Sequence, residues 1–145
     1  TYRENGYPLA QKDDTSTIFF TGQDVRQVQL AKSAIRSGIE LLLKYYGITA
    51  DEVDQVYLAG GFGQTLNVRK AVTLGLIPKK FEKKTIALGN TSLLGAGAYV
   101  HAKQIGKHPE ADMRRIIENT TVLNLAELPE FEEYYMKYMN FGETV

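Results

Sequence analysis

The chain has 145 residues, 43% hydrophobic and 10% aromatic, which suits a single domain over 1–145 that buries most of its unfolded surface. Seventeen basic and seventeen acidic residues cancel to a formal net charge of zero, so the electrostatic footprint of a general nucleic-acid binder is missing. There is no cysteine, and therefore no disulfide, thiolate metal site or iron–sulfur ligand within these residues.

The first residue, Thr1, sits in a polar segment without an initiator methionine, which reads as a fragment cut from a longer protein. Tyr7-Pro8-Leu9-Ala10, the polar run Gln11 to Ser16 and Ile18-Phe19-Phe20 read as extended structure around an exposed turn. Thr21 and Asp24 then make a near capping box for a long helix over 24–46. Val25, Val28, Ala31, Ile35, Ile39 and Leu42 recur at three- and four-residue intervals, predicting burial along one side. At 1.5 Å per residue such a helix spans roughly 34 Å, enough to cross a sheet. Gly47 ends it. After a turn begun by Thr49 and Glu52, Val56 to Ala59 form a buried strand that runs into Gly60-Gly61-Phe62-Gly63, a loop with almost no side chains. Asn67 caps a helix over 68–74, Gly75 stops it, and Leu76-Ile77-Pro78 closes the turn. Lys79, Lys80, Lys83 and Lys84 follow; they read either as a solvated loop that resists aggregation or as an anion site.

Thr85-Ile86-Ala87-Leu88 is a second strand, ending in Gly89, and Asn90 or Thr91 caps a helix to Lys103. Gly95, Ala96, Gly97 and Ala98 give that helix a face open to close approach by another helix or backbone. Each interior glycine costs about 1 kcal/mol relative to alanine, so the pair calls for a packing or hinge reason. Gly106 and Pro109 end the helix between His101 and His108, leaving two helix-end histidines rather than a metal pair. Pro109 opens a helix over 109–118, Thr121 to Leu125 read as a third strand, and Pro129 starts a last helix to Asn140. Phe131, Tyr134, Tyr135, Tyr138 and Met139, followed by Phe141, make an aromatic stripe that reads as a docking face, for a second copy or a partner. The order α-β-α-β-α-α-β-α argues for a layered α/β domain. No stretch approaches the roughly 20 apolar residues that span a bilayer and no leader opens the chain, so no membrane association and a cytoplasmic location are expected.

Two strands thus end in glycine. Bare glycines accept φ > 0 and let a ligand touch main-chain N–H groups, and in open α/β sheets ligands sit outside the carboxyl ends of strands. A Gly-Gly turn also serves as an ordinary tight reversal.

Leu58-Ala59-Gly60-Gly61-Phe62-Gly63, then Leu88-Gly89-Asn90 and Leu94-Gly95-Ala96-Gly97-Ala98, resemble the second half of an actin-like (ribonuclease H-like) ATPase domain, the superfamily of sugar kinases, heat-shock chaperones and actin. The first block resembles its adenosine motif; the last resembles the small-residue helix at the inter-lobe hinge. More narrowly, Asp24 to Ile39 with Val56 to Gly63 are similar to the C-terminal domain of the reductive activators of corrinoid proteins, over residues 20 to 141. That resemblance implies a C-terminal ATPase lobe with layered helices on a small mixed sheet. It places adenosine against Gly60, Gly61, Phe62 and Gly63, with Gln29 and Lys32 on the other wall; a solvent-facing Gln and Lys would show the same spacing.

Members of that family couple ATP hydrolysis to uphill electron transfer from a [2Fe–2S] cluster in an N-terminal domain to the cobalt of a corrinoid protein or cobalamin-dependent methyltransferase. The resemblance implies ATP or ADP with Mg in the full-length protein and the cluster upstream of this chain. The first phosphate loop, the catalytic acidic residue and an Asp-x-Gly second phosphate loop are not found here, so the chain alone is expected not to be catalytic. Two other readings stay open: a dimerisation or partner-docking module built on the aromatic helix, and one lobe of a small-metabolite kinase.

Overall fold

The computed structural model describes residues 6–11 and 17–142. An antiparallel hairpin, β1 (Tyr7–Gln11) and β2 (Thr17–Phe20), leads into α1 (Gly22–Tyr46). β3 (Val56–Ala59), α2 (Gly60–Thr65), α3 (Val68–Leu74) and β4 (Thr85–Gly89) form a crossover unit in which β3 and β4 pair in parallel. Then come α4 (Thr91–Gln104), α5 (Glu110–Glu118) and α6 (Phe131–Lys137). The predicted extended segments flank residues 12–16, and the exposed turn expected there lies outside the described residues.

The helix ends follow from local chemistry. Thr21 N–H donates to Asp24 Oδ2 at 2.8 Å while Asp24 N–H donates to Thr21 Oγ1 at 3.3 Å, completing the capping box of α1. Gly47, at φ 78°, closes α1 in a left-handed cap. Asn67 caps α3 and Asn90 caps α4 by accepting from Lys70 and Leu93 N–H groups, each at 3.0 Å. Gly106 follows the end of α4, so His101 and His108 do not share a helix.

The core lies where α3 and the following turn meet α1 and β3. Ala71, Val72, Ile77 and Phe81 are buried, with Ile39, Leu43, Val56 and Leu58 packed around them. The lysine-rich turn is structural: Lys84 Nζ donates to the carbonyls of Asp51, at 2.9 Å, and Val53, and Lys80 pairs with Asp51.

β3 is not the buried strand expected, since Tyr57 is 59% exposed, and four further expectations change. The glycine run is not a loop; it forms α2, short and glycine-rich, held against β3 and β4 rather than by its own propensity. No strand forms over 121–125, because no neighbouring edge takes it: Val122 is 86% exposed, and Asn124 instead turns the chain by accepting from Ala126 N–H. The predicted apolar side of α1 is only partly covered, with Ile35 and Leu42 exposed; its fully buried residues are Lys32, Ser33, Ser37, Gly38 and Leu41. Finally, the aromatic stripe docks within the chain. α6 packs on α1, where Arg36 lies 4.9 Å from the Tyr138 ring, Lys44 pairs with Glu130 at 2.8 Å, and Ser33 Oγ donates to the Tyr135 carbonyl.

Candidate functional site

β3 and β4 run parallel with Ala59 opposite Gly89, so both carboxyl ends open on one rim. Each strand leaves through a left-handed glycine, Gly60 at φ 86° and Gly89 at φ 69°, into a helix. A side chain at Gly60 or Gly61 would meet no atom within 4 Å, so both face open space. Gly63 differs: it is buried, and a Cβ there would lie 3.0 Å from Leu58 Cβ and 3.1 Å from Leu58 C, which makes it the packing contact of α2 on β3. The glycine run therefore divides into a strand exit, an open position and a packing position.

Phe62 is 69% exposed and lines a cleft of about 460 Å³ between α1 and the α2–α3 unit. Lys32, Ile35, Thr65 and Lys70 also line it, and the walls are mostly apolar. The structure thus brings Lys32 and Phe62 to one cleft. Gln29, half-buried one turn earlier on α1, is not among the residues lining it. Gln64, which the sequence reading passed over although it directly follows the glycines, has its side-chain amide 3.5 Å from the Cβ position of Gly89 and so reaches across the rim.

Lys32 is 1% exposed rather than solvent-facing. Its ammonium donates to the main-chain carbonyl of Asn140 and lies 5.9 Å from the centre of the Phe141 ring. Burial pushes its pKa below the ordinary lysine value, and the neighbouring Arg36 charge pushes it the same way. The sequence carries no local signal for this contact, since Asn140 lies 108 residues further on.

On α4, the Cβ positions of Gly95 and Gly97 meet nothing within 4 Å, and no residue of α4 or α5 is buried. Nothing among the described residues uses the closeness that Gly95 and Gly97 allow, although Gly95, Ala96 and Ala98 line a cleft shared with Pro109, Asp112 and Met113. None of the helices among those residues is long and apolar enough to cross a membrane.

Comparison with known proteins bears on the fold and the role. A family model described as the C-terminal domain of RACo, the ASKHA domain, matches residues 2–145. The corrinoid activation enzyme RamQ of Eubacterium limosum is 38% identical over 129 residues, an alignment covering 88% of this chain and 21% of that protein. A solved structure of a reductive activator for corrinoid, iron-sulfur protein superposes with a TM-score of 0.76 at 28% identity, covering 89% of this chain and 20% of that one. The chain spans about a fifth of the length of these relatives. By the match along its length, the chain belongs to the family of the C-terminal ASKHA domain of reductive activators of corrinoid proteins.

Proposed function

We infer that this chain is the nucleotide-binding lobe of an ATP-dependent reductive activator of corrinoid proteins. Gly60, Gly61 and Phe62 form the adenosine side of the site, Gly63 holds their helix against β3, and Lys32 stands on the opposite wall with Gln29 one turn earlier on the same helix. The observation that carries the reading is the common rim: two parallel strands end side by side, Ala59 opposite Gly89 after a one-residue shift in pairing, with open space at the Cβ positions of Gly60 and Gly61. Main chain without a Cβ lets a nucleoside approach N–H groups closely, and the apolar cleft beside Phe62 offers a surface for a base.

ATP with Mg, when bound by the whole protein, supplies the free energy that makes a low-potential electron transfer favourable. This chain's residues bind and orient the nucleoside. The phosphate-handling acid and the [2Fe–2S] cluster belong to other parts of the protein, since the chain has no cysteine to hold the cluster. The partner is a corrinoid protein or cobalamin-dependent methyltransferase, met in the cytoplasm. A docking module built on the aromatic helix has less support, because that helix covers α1 of its own chain.

The reading is tested in the complete activator with Gly61→Val. ATP-dependent reduction of the corrinoid partner is expected to be lost while the circular dichroism spectrum is kept. Full activity in that variant contradicts the placement.

A further inference from the structure

We propose that the C-terminal segment Phe131–Gly142 is a clasp that competes with an anionic ligand for Lys32, so that the chain's own tail regulates the cleft; this rests on the nucleotide site inferred above. Lys32 lines the cleft beside Phe62, and the same side chain is held from the tail by the Asn140 carbonyl. One side chain thus belongs both to the cleft wall and to the clasp, with its ammonium turned to Asn140.

The clasp is held by a seam that is weak in the currency that drives most packing. The buried residues of α1 are Lys32, Ser33, Ser37, Gly38 and Leu41, so Leu41 is the one large apolar side chain among them, and among the described residues the Ser37 hydroxyl has no hydrogen-bond partner. No residue of α6 is itself fully buried. Contacts across the seam include a hydroxyl to the Tyr135 carbonyl, Arg36 over the Tyr138 ring, Lys44 near the Tyr134 ring and a partly exposed Lys44–Glu130 pair that the Tyr45 hydroxyl joins at 3.3 Å. Apolar burial is the main source of docking energy, while exposed ion pairs add little, so this seam opens more readily than the core around Phe81.

Lys32 raises the cost of closure. A buried ammonium loses its hydration, and a carbonyl neutralises no charge; among the described residues no carboxylate pairs with it. A phosphate-bearing ligand in the cleft offers the charge that Asn140 lacks. Ligand binding and clasp closure therefore oppose one another, and the coupling is reciprocal.

The tail also touches the other wall. A Cβ on Gly75, the left-handed cap of α3, would lie 2.8 Å from the Gly142 carbonyl oxygen, so the strap passes directly over the end of α3. Ala71 and Leu74 of that helix line the cleft. The closed strap thus bears on both sides of the space that a ligand would enter.

The test titrates ATP with Mg calorimetrically into the full chain, a chain lacking Asn140–Val145 and the full chain with Phe141→Ala, each with and without Lys32→Met. Loosening the clasp is expected to tighten binding, by on the order of tenfold for the truncation, as a regained charge contact would give. The gain is expected to vanish in the Lys32→Met background. Equal or weaker binding after loosening, or the same gain without Lys32, overturns the proposal; the exposed Phe141→Ala change keeps the test valid if the truncated chain folds poorly. Hydrogen exchange of the Tyr134–Tyr138 amides gives a second readout free of nucleotide. Lys32→Met is expected to slow it by removing the buried charge, and faster exchange overturns the clasp. If no form binds nucleotide, the site reading fails and the competition with it, while the exchange result still decides whether Lys32 opposes closure.

Discussion

Gly63 sits directly against Leu58: a methyl group at Gly63 would come within 3.0 Å of Leu58 Cβ, whereas one at Gly61, two residues earlier, would enter open space. Gly63→Ala is therefore expected to cost about 1–3 kcal/mol, because α2 must move off β3. Gly61→Ala is expected to leave stability unchanged or raise it by up to about 1 kcal/mol, since it lies in a helix. Denaturant midpoints of the two variants check this; equal losses would mean that both glycines are packing residues.

Lys32 gives a pH dependence of definite sign. In the unfolded chain it titrates near the ordinary value of 10.5, and burial holds it lower in the folded protein. Between those values the unfolded state binds the proton and the folded state does not, so stability contributed by this residue rises as pH increases through that window. Below the window both states are protonated and the full cost of the buried charge is present. Lys32→Met is expected to raise stability at neutral pH by about 1 kcal/mol and to flatten the rise above it. Parallel urea titrations of the two proteins across the window measure it.

The aromatic stripe on α6 is an internal contact, and this changes what substitutions there should do. Tyr134→Ser with Tyr138→Ser removes a ring pair with centroids 6.3 Å apart and the Arg36 contact. The double variant is expected to lose about 2 kcal/mol of stability with no change in molecular mass. Analytical ultracentrifugation beside thermal melting separates the two; a fall in mass with an unchanged melt would instead make the stripe an intermolecular surface.

Gly95 and Gly97 behave as unexploited helix breakers within this chain. With no atom within 4 Å of either Cβ position, Gly95→Ala and Gly97→Ala are each expected to stabilise it by about 1 kcal/mol. The same changes in the complete activator report whether a neighbouring element uses the closeness that glycine allows: a loss of stability or activity there, against a gain here, places a close contact on that face of α4.

Much of the frame was legible because its signals are local. Thr21 with Asp24, Asn67 with Gly75, and Asn90 announce helix ends through side-chain oxygens and left-handed glycines, and these positions hold. Val56–Ala59 and Thr85–Gly89 were legible as apolar runs ending in glycine, and so was the shared rim. α2 was hidden because its helix is stabilised by tertiary packing against a propensity that reads as loop. Thr121–Leu125 misled for the opposite reason: β-branched residues favour a strand only where a partner edge exists, and Val122 has none. The contact of Lys32 with Asn140 was invisible because an amphipathic helix gives no sign that its polar face will be covered from the far end of the chain.

The measurement that bears most directly on the central claim is calorimetric titration of this chain with ATP and ADP in the presence of magnesium, beside Gly61→Val. The account predicts binding by the parent chain and its loss in the variant with the thermal melt kept, because valine fills the open space at residue 61 without touching the core. Equal binding by both proteins would contradict it, and the adenosine site would have to lie away from the rim formed by Ala59 and Gly89.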